Sequence, residues 1–353
     1  MQKSRFKPRR LLRLVTAIVA LIVTVAQSGV TLALSTTADA PAVATMTKAS
    51  AYAVAASEAT WRDDVRNRDV PVRIYTPVAA EAPKDARYPV ILFSHGLGGS
   101  RAGGKHWAEH WASHGYVVVA MQHIGSDDSL WKDRAMKERE AGLKAGMTMK
   151  NLGYRVGDVR FVIDEITRRA TAGDAAFDRA DSTRIGMSGH SFGAQTTFAV
   201  SGQKSPSLAG QAGLDTRIVA AIAFSPNARN KNNLSRQFGD IRVPFFSITG
   251  TEDGSILGDG TRYQDRILPH ENMPAGGKYL LVFDGGDHMV FGGHMIEGRR
   301  SETARDREIQ AVVKNATLAF WNATLKQDAS ARKWLSASGL AATLGANDRF
   351  ASK

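Results

Sequence analysis

The chain has 353 residues, of which 43% are hydrophobic, and it carries a net charge of +12. This length and hydrophobic share are typical of a globular protein that buries a large core without crosslinks. The absence of cysteine excludes disulfides, thiolate metal sites and a cysteine nucleophile. Residues 1–40 hold six basic residues and one acidic residue, and the other charges are dispersed, so we predict no nucleic-acid partner.

The N-terminal segment 1–34 has a basic start, an apolar stretch over 14–26 and then small residues. This layout predicts a secretory signal peptide. The uncharged run 14–34 is also long enough to cross a bilayer, so a retained membrane anchor is the alternative. We therefore expect a secreted or periplasmic protein, or else a membrane-anchored extracytoplasmic one. The cleavage site and the export route, Sec or twin-arginine, stay open.

Residues 35–60 are rich in Ala, Ser and Thr without helical or strand periodicity, which predicts a flexible linker. The folded domain is predicted over 61–340, beginning near Trp61, and residues 341–353 are predicted to be a C-terminal tail.

Strands and helices are predicted to alternate along this domain. Segment 65–77 alternates polar and apolar residues, as a half-buried strand does. Further strands are predicted from short apolar runs over 88–96, 116–123, 184–189, 218–226, 243–250 and 278–286. Helices are predicted from their spacing over 105–115, 154–170, from Phe192 onward, and over 303–325. This alternation predicts one α/β domain with a mostly parallel central sheet and helices on both faces.

The stretch "RIGMSGHSFGAQ", residues 184–195, places two serines between glycines. Only Ser191 fits the pattern Gly-x-Ser-x-Gly, because Gly189 and Gly193 flank it. A serine on a sharp strand-to-helix turn adopts a strained backbone that its neighbours tolerate when they lack side chains. Ser191 is therefore the predicted nucleophile, and Ser188 is predicted to be packed within the strand. The alternative for Ser191 is an ordinary helix N-cap.

A serine nucleophile needs a base, and the base needs an orienting acid. Three histidines follow the serine along the chain: His270, His288 and His294. His288 is favoured because it follows a predicted strand in the Gly-rich stretch "FDGGDHMVF"; His294 is the reserve and His270 ranks third.

The acid is predicted at the end of an earlier strand, in "FFSITGTEDG". Asp253 is favoured over Glu252, which is expected to face solvent. The serine, the acid and the histidine thus each follow a separate predicted strand, at the sheet edge where open α/β sheets build their sites.

An oxyanion hole needs two N–H donors. The Phe192 N–H lies at a predicted helix start, where such groups point toward an anion. The second donor is predicted in "FSHGLGGS", residues 93–100, from Leu97 first and Gly98 second. The alternative for this loop is a simple turn between strand and helix.

Three other patterns suggest rival functions. His106, His110 and His114 are four residues apart on a predicted helix, a spacing that can bind zinc, but without the His-Glu-x-x-His order a polar helix face is favoured. The stretch "HGLGGSRAGG" approaches a dinucleotide fingerprint but has Arg101 where the third glycine belongs. Segment 129–152 predicts a packed surface helix or, alternatively, a cap over an acyl pocket.

Taken in order, "FSHGLGG", "ASHGYVVVA", "GHSFG", "GTEDG" and "GGDHMVF" resemble the α/β-hydrolase superfamily, with the dienelactone-hydrolase-like and platelet-activating-factor-acetylhydrolase-like secreted bacterial serine hydrolases as the nearest branch. This branch is also similar to bacterial polyester hydrolases. The resemblance implies an α/β-hydrolase fold, the triad Ser191, Asp253 and His288, and an oxyanion hole from Leu97 and Phe192. Dienelactone hydrolases use a cysteine nucleophile that this chain lacks, which favours ordinary carboxylic esters.

The expected function is a secreted serine hydrolase that cleaves carboxylic esters through an acyl-enzyme. We expect no cofactor and no metal, a small-molecule, lipid or polymer ester as substrate, membrane contact only if the N-terminal segment is retained, and a monomer. The alternatives are a non-catalytic binding or cell-surface protein on a hydrolase scaffold, and a peptidase or amidase with the same triad.

Overall fold

A central sheet organises the computed structural model, which describes residues 52–78, 83, 85–204, 213–228, 230–255, 258–293, 301–336 and 338–353. Its strands are β1 Ala53–Asp63, β2 Arg68–Val78, β3 Tyr88–Ser94, β4 Val117–Met121, β5 Ala180–His190, β6 Ile218–Phe224, β7 Phe245–Glu252, β8 Lys278–Asp287 and β9 Arg349–Ser352. They lie in the order β1-β2-β4-β3-β5-β6-β7-β8-β9. The pairs from β4 through β3 and β5 to β8 are parallel, whereas β1, β2 and β9 are antiparallel to their neighbours.

The helices connect these strands and follow them. They are α1 Lys105–Ala112, α2 Met136–Gly146, α3 Met149–Thr171, α4 Phe192–Val200, α5 Leu234–Phe238, α6 Tyr263–Asn272, α7 Ala304–Leu325, α8 Ala329–Ser336 and α9 Ser338–Ala341. Among the described residues, no helix combines the length and apolar character needed to cross a membrane.

The side chains of β3 show why the helices cover both faces. Ile91 and Phe93 pack with α1 and α7 in one cluster of buried residues. Val90 and Leu92 pack with α3 in another. Successive strand residues point to opposite faces, so an uninterrupted apolar run buries both sides of a strand. The predicted architecture, a mostly parallel sheet with helices on both faces and an α/β-hydrolase fold, is confirmed.

The predicted linker 35–60 is wrong at its C-terminal end, because strand β1 begins at Ala53 and pairs along its length with β2. Most of its side chains are exposed, so the main-chain ladder, rather than an apolar pattern, defines this edge strand. The predicted tail 341–353 likewise contains a strand, β9, which pairs with β8. The predicted signal peptide 1–34 lies outside the described residues.

Candidate active site

Ser191 lies on the turn between β5 and α4, with φ 56° and ψ −110°. A non-glycine residue rarely adopts positive φ, and the surrounding structure must hold it there. Gly189 and Gly193 allow the turn: a Cβ on Gly189 would overlap the Gly193 carbonyl, and a Cβ on Gly193 would overlap the Ser94 carbonyl oxygen. The two glycines that sequence analysis singled out are therefore required by close backbone approach.

Ser188, three residues earlier, is fully buried in β5. Its Oγ donates to the Leu92 carbonyl oxygen at 2.8 Å. This hydroxyl is packed between two central strands, as predicted, and does not reach the sheet edge.

Asp253 and His288 form a buried pair at the carboxyl ends of β7 and β8. His288 Nδ1 is 2.7 Å from Asp253 Oδ1, and Thr249 Oγ1 donates to Asp253 Oδ2 at 2.8 Å. Burial alone raises the pKa of the Asp253 carboxyl, but His288 and Arg266 outweigh it and hold this pKa below its ordinary value. A carboxylate acceptor assigns the proton to Nδ1, which leaves Nε2 as the basic atom of the neutral ring.

His288 Nε2 is buried and has no hydrogen-bond partner among the described residues. His288 and Ser191 line the same cavity. The residue beside the serine joins the two segments: His190 Nε2 donates to the His288 carbonyl oxygen at 2.9 Å, and the two imidazole rings are 4.6 Å apart. The predicted serine and histidine thus line one cavity, and the predicted acid is hydrogen-bonded to the histidine.

A cavity lies beside Ser191. Side chains that can hydrogen-bond line much of it, among them Gln195, Ser225, Asn227 and Thr261. Gln195 Nε2 donates to the Asn227 carbonyl oxygen at 2.6 Å, which orders this wall. Met147, at the end of α2, supplies an apolar contact to the cavity.

Arg266, on α6, is a member of the site that sequence analysis missed. Its Nε lies 2.9 Å from Asp253 Oδ1, and its Nη2 lies 3.2 Å from His288 Nδ1. The same guanidinium donates to the carbonyl oxygens of Ser225 and Gly254, each at 2.9 Å. A buried cation therefore touches the acid, the imidazole and two cavity loops.

The loop after β3 runs beside Ser191, because a Cβ on Gly96 would lie 3.5 Å from the Ser191 Cβ. Gly98 is the second choice for the oxyanion donor in this loop. This choice is wrong, because the Gly98 N–H donates to the Ser126 carbonyl oxygen at 2.9 Å. The Leu97 N–H, the first choice, is the remaining candidate in the loop. Phe192 is the first residue of α4, so its N–H has no acceptor within the helix.

Segment 129–152 is a short 3₁₀ turn, then α2 and the start of α3, rather than one surface helix. It packs on the loop after β3: Trp131 Nε1 donates to the Gly98 carbonyl oxygen at 2.6 Å. Its residue Met147 reaches the cavity. This placement favours the cap alternative over a helix that only covers the surface.

The remaining histidines are placed elsewhere or not described. His270 lies on α6 beside Tyr279 and Lys353, near the amino end of β8, and burial chiefly lowers its pKa to about 4. His294 lies outside the described residues.

The rings of His110, on α1, and His114, just after this helix, are tilted against each other. The His110 and His114 rings are 4.5 Å apart, and burial, with a smaller contribution from His114, lowers the pKa of His110 to about 3. In the described part of the chain, no group of three or more His, Cys, Asp or Glu residues is arranged to hold a metal ion.

The family described as platelet-activating factor acetylhydrolase, isoform II, matches residues 51–153. This range spans β1 to β4, the loop after β3 and segment 129–152, and it ends before Ser191. No curated protein sequence matches the chain. The match indicates a serine esterase- or lipase-type hydrolase that acts on esters. The sheet topology is that of an α/β-hydrolase fold, and over residues 51–153 the chain is similar to the family described as platelet-activating factor acetylhydrolase, isoform II.

Proposed function

We propose that this protein is a serine hydrolase that cleaves carboxylic esters, with Ser191 as nucleophile, His288 as base and Asp253 as orienting acid. One observation carries the proposal. The His288 Nδ1–Asp253 pair leaves a buried, unpartnered Nε2 in the same cavity as a serine held at positive φ. A serine hydroxyl is a weak nucleophile until an adjacent base removes its proton.

In the proposed reaction, Ser191 Oγ attacks the ester carbonyl carbon while His288 Nε2 takes its proton. Asp253 holds the ring orientation and stabilises the imidazolium. The Leu97 and Phe192 N–H groups bind the oxyanion of the tetrahedral intermediate. The imidazolium then protonates the leaving alcohol, and a water molecule, activated by the same imidazole, releases the acid from the acyl-enzyme.

The proposed substrate is a small-molecule ester, or the end of a lipid or polymer chain, because the cavity beside Ser191 combines polar side chains with the apolar side chain of Met147. We also propose that the protein acts as a monomer outside the cytoplasm, either secreted or periplasmic, on the basis of the signal-like pattern in residues 1–34. Retention of that segment would instead anchor it to a membrane.

Two measurements test the proposal. Purified protein should hydrolyse p-nitrophenyl acetate or butyrate, and a fluorophosphonate should label Ser191, as peptide mass spectrometry would show. The Ser191→Ala variant should lose label and lower kcat by about 10⁴-fold or more. Ser188→Ala is the matched control, since it removes a packed hydroxyl three residues away and should keep both signals.

A wild-type protein that neither reacts with the phosphonate nor hydrolyses the esters would contradict the proposal and favour a non-catalytic scaffold. Faster turnover of matched p-nitroanilides than of esters would instead assign a peptidase or amidase.

A further inference from the structure

A fully buried arginine lies directly behind the loop that follows β3. Arg155, on α3, has no exposed surface. Its guanidinium donates to the His95 carbonyl oxygen at 2.6 Å and to Ser126 Oγ at 2.8 Å. Among the described residues, its hydrogen bonds end on hydroxyl and carbonyl oxygens, and none ends on a carboxylate.

One of these acceptors belongs to the peptide group that carries a proposed oxyanion donor. The Gly96 carbonyl oxygen is 2.6 Å from His95 Nδ1 and 3.4 Å from Arg155 Nη2. The Gly96 C=O and the Leu97 N–H form one planar trans peptide, in which the two bonds point in opposite directions. Two donors that hold the carbonyl therefore also fix the direction of the Leu97 N–H.

Arg155 also contacts Phe192, whose N–H is the other proposed oxyanion donor. The Arg155 Cζ lies 4.3 Å from the centroid of the Phe192 ring. A guanidinium over an aromatic face is attracted by the ring quadrupole, and more strongly where water is excluded. Arg155 thus contacts the Gly96–Leu97 peptide group and the Phe192 side chain, and it does not line the cavity.

We propose that Arg155 is a positioning residue for ester hydrolysis: it orients the Leu97 and Phe192 N–H groups and places a desolvated positive charge behind both. This inference rests on the proposed function. A fixed charge and fixed dipoles aimed at a developing oxyanion need no reorganisation during the reaction, so they stabilise the transition state more than the bound ester. The effect should therefore fall on kcat.

The charge is present at neutral pH. Burial lowers the pKa of Arg155 to about 9, partly offset by the carboxylates of Asp158 and Asp127. Asp158 itself is paired with Arg66 and Arg68, on the other side of His123. The Arg155 guanidinium instead donates to the carbonyl oxygens of His95, Gly96 and Ser126.

The test compares Arg155→Met and Arg155→Lys with wild type. Arg155→Met should lower kcat for p-nitrophenyl butyrate by about 10- to 1,000-fold with KM within about threefold, because loss of an oxyanion donor itself costs about 100- to 1,000-fold in kcat. A trifluoromethyl ketone, which binds as an oxyanion adduct on the serine, should lose affinity in proportion to kcat. Arg155→Lys keeps the positive charge but loses the paired guanidinium N–H donors. Its kcat and ketone affinity should therefore lie between those of wild type and Arg155→Met.

Arg169→Met is the matched control. Arg169 is on the same helix, lies 5.0 Å from the Trp61 ring centroid and is ion-paired with Glu165, but it is remote from the loop. Its loss should leave kcat, KM and ketone affinity unchanged.

A kcat for Arg155→Met within twofold of wild type, or a rise in KM at constant kcat, would overturn the inference. If Arg155→Met does not fold, Arg155→Lys decides: a fall in kcat of about fivefold or more at constant KM supports it, and a wild-type kcat overturns it. Phosphonate labelling separates the two proposals. Unlabelled wild-type protein refutes the proposed function, whereas labelled wild type with an unaffected Arg155→Met refutes the inference alone.

Discussion

Arg266 Nε and His288 Nδ1 share one oxygen of Asp253: Oδ1 lies 2.9 Å from the guanidinium nitrogen and 2.7 Å from the imidazole nitrogen. A buried carboxylate that accepts from a guanidinium and from an imidazole N–H stays ionised, in keeping with the lowered pKa of Asp253. The guanidinium places a permanent positive charge beside the carboxylate. Arg266 should therefore help to keep the Asp253 carboxylate ionised, the form that accepts the His288 Nδ1–H.

Replacing Arg266 by Met should move the acid limb of the kcat/KM profile to higher pH, because loss of the neighbouring cation raises the pKa of Asp253, whose ionised form accepts the His288 Nδ1–H. The measurement is p-nitrophenyl butyrate hydrolysis between pH 4 and 9. Arg266→Lys, which keeps the charge, should shift the limb less. An acid limb that stays at the wild-type pH in Arg266→Met would contradict this role.

Replacing His270 by Gln should flatten the pH dependence of stability. Burial lowers the pKa of His270 to about 4 in the folded protein, with Lys353 adding to the effect. The unfolded chain takes up this proton near pH 6.5, so the contribution of His270 is fully present above that pH and is lost as pH falls toward 4. As pH falls through this window, the unfolding free energy of wild type should decrease by about 1.4 kcal/mol per pH unit more than that of His270→Gln. Denaturant unfolding at pH 4.5 to 7.5 measures both slopes, and equal slopes would refute the prediction.

Replacing Gly193 by Ala should disrupt the serine turn, because the new Cβ would overlap the Ser94 carbonyl oxygen. A clash with backbone cannot be relieved by a side-chain rotation, so we expect a loss of about 3 kcal/mol or more in unfolding free energy. Denaturant unfolding and phosphonate labelling measure this. Gly254→Ala is the control, since its Cβ would meet nothing nearer than the Thr261 carbonyl oxygen at 3.8 Å. Equal stability of the two variants would be inconsistent with this account of the turn.

Replacing Met147 by Ala should shift acyl preference toward longer chains, because Met147 lines the cavity beside Ser191. The kcat/KM ratio of p-nitrophenyl octanoate to acetate should rise, while the acetate value changes little. Met149→Ala is the matched control, because this exposed methionine is two residues further on and does not line that cavity. An unchanged chain-length profile in Met147→Ala would exclude segment 129–152 from shaping the acyl pocket.

The central strands were predictable because burial on both faces leaves an uninterrupted apolar run, as at β3 and β4. The edge strand β1 was not, because its small, mostly exposed residues carry no alternation and its main-chain pairing with β2 has no compositional signature. Helix α6 was also missed. Its apolar residues are few and Pro269 lies inside it, so its periodicity is weak.

The convergence of Ser191, Asp253 and His288 was predictable because each follows a strand of a parallel sheet, and such strand ends share one edge. The roles of Arg155 and Arg266 were not predictable, because contacts with residues distant in sequence define them. Arg155 did carry a signal: it lies on the apolar face of α3, in register with Leu152 and Val159, and both of these are buried. A charge at a core position of an amphipathic helix indicates a buried polar network. Arg266 belongs to the helix that was missed and gave no such signal.

Strand β9 has a consequence for handling the protein. It covers the outer side of β8, the strand that ends at Asp287, one residue before His288. Deleting residues 349–352 would leave the N–H and C=O groups along that side without partners, and such a bare edge recruits strands from neighbouring molecules. A shortened chain should therefore precipitate or form mixed assemblies, and its lost turnover would reflect self-association and not damage to the chemistry.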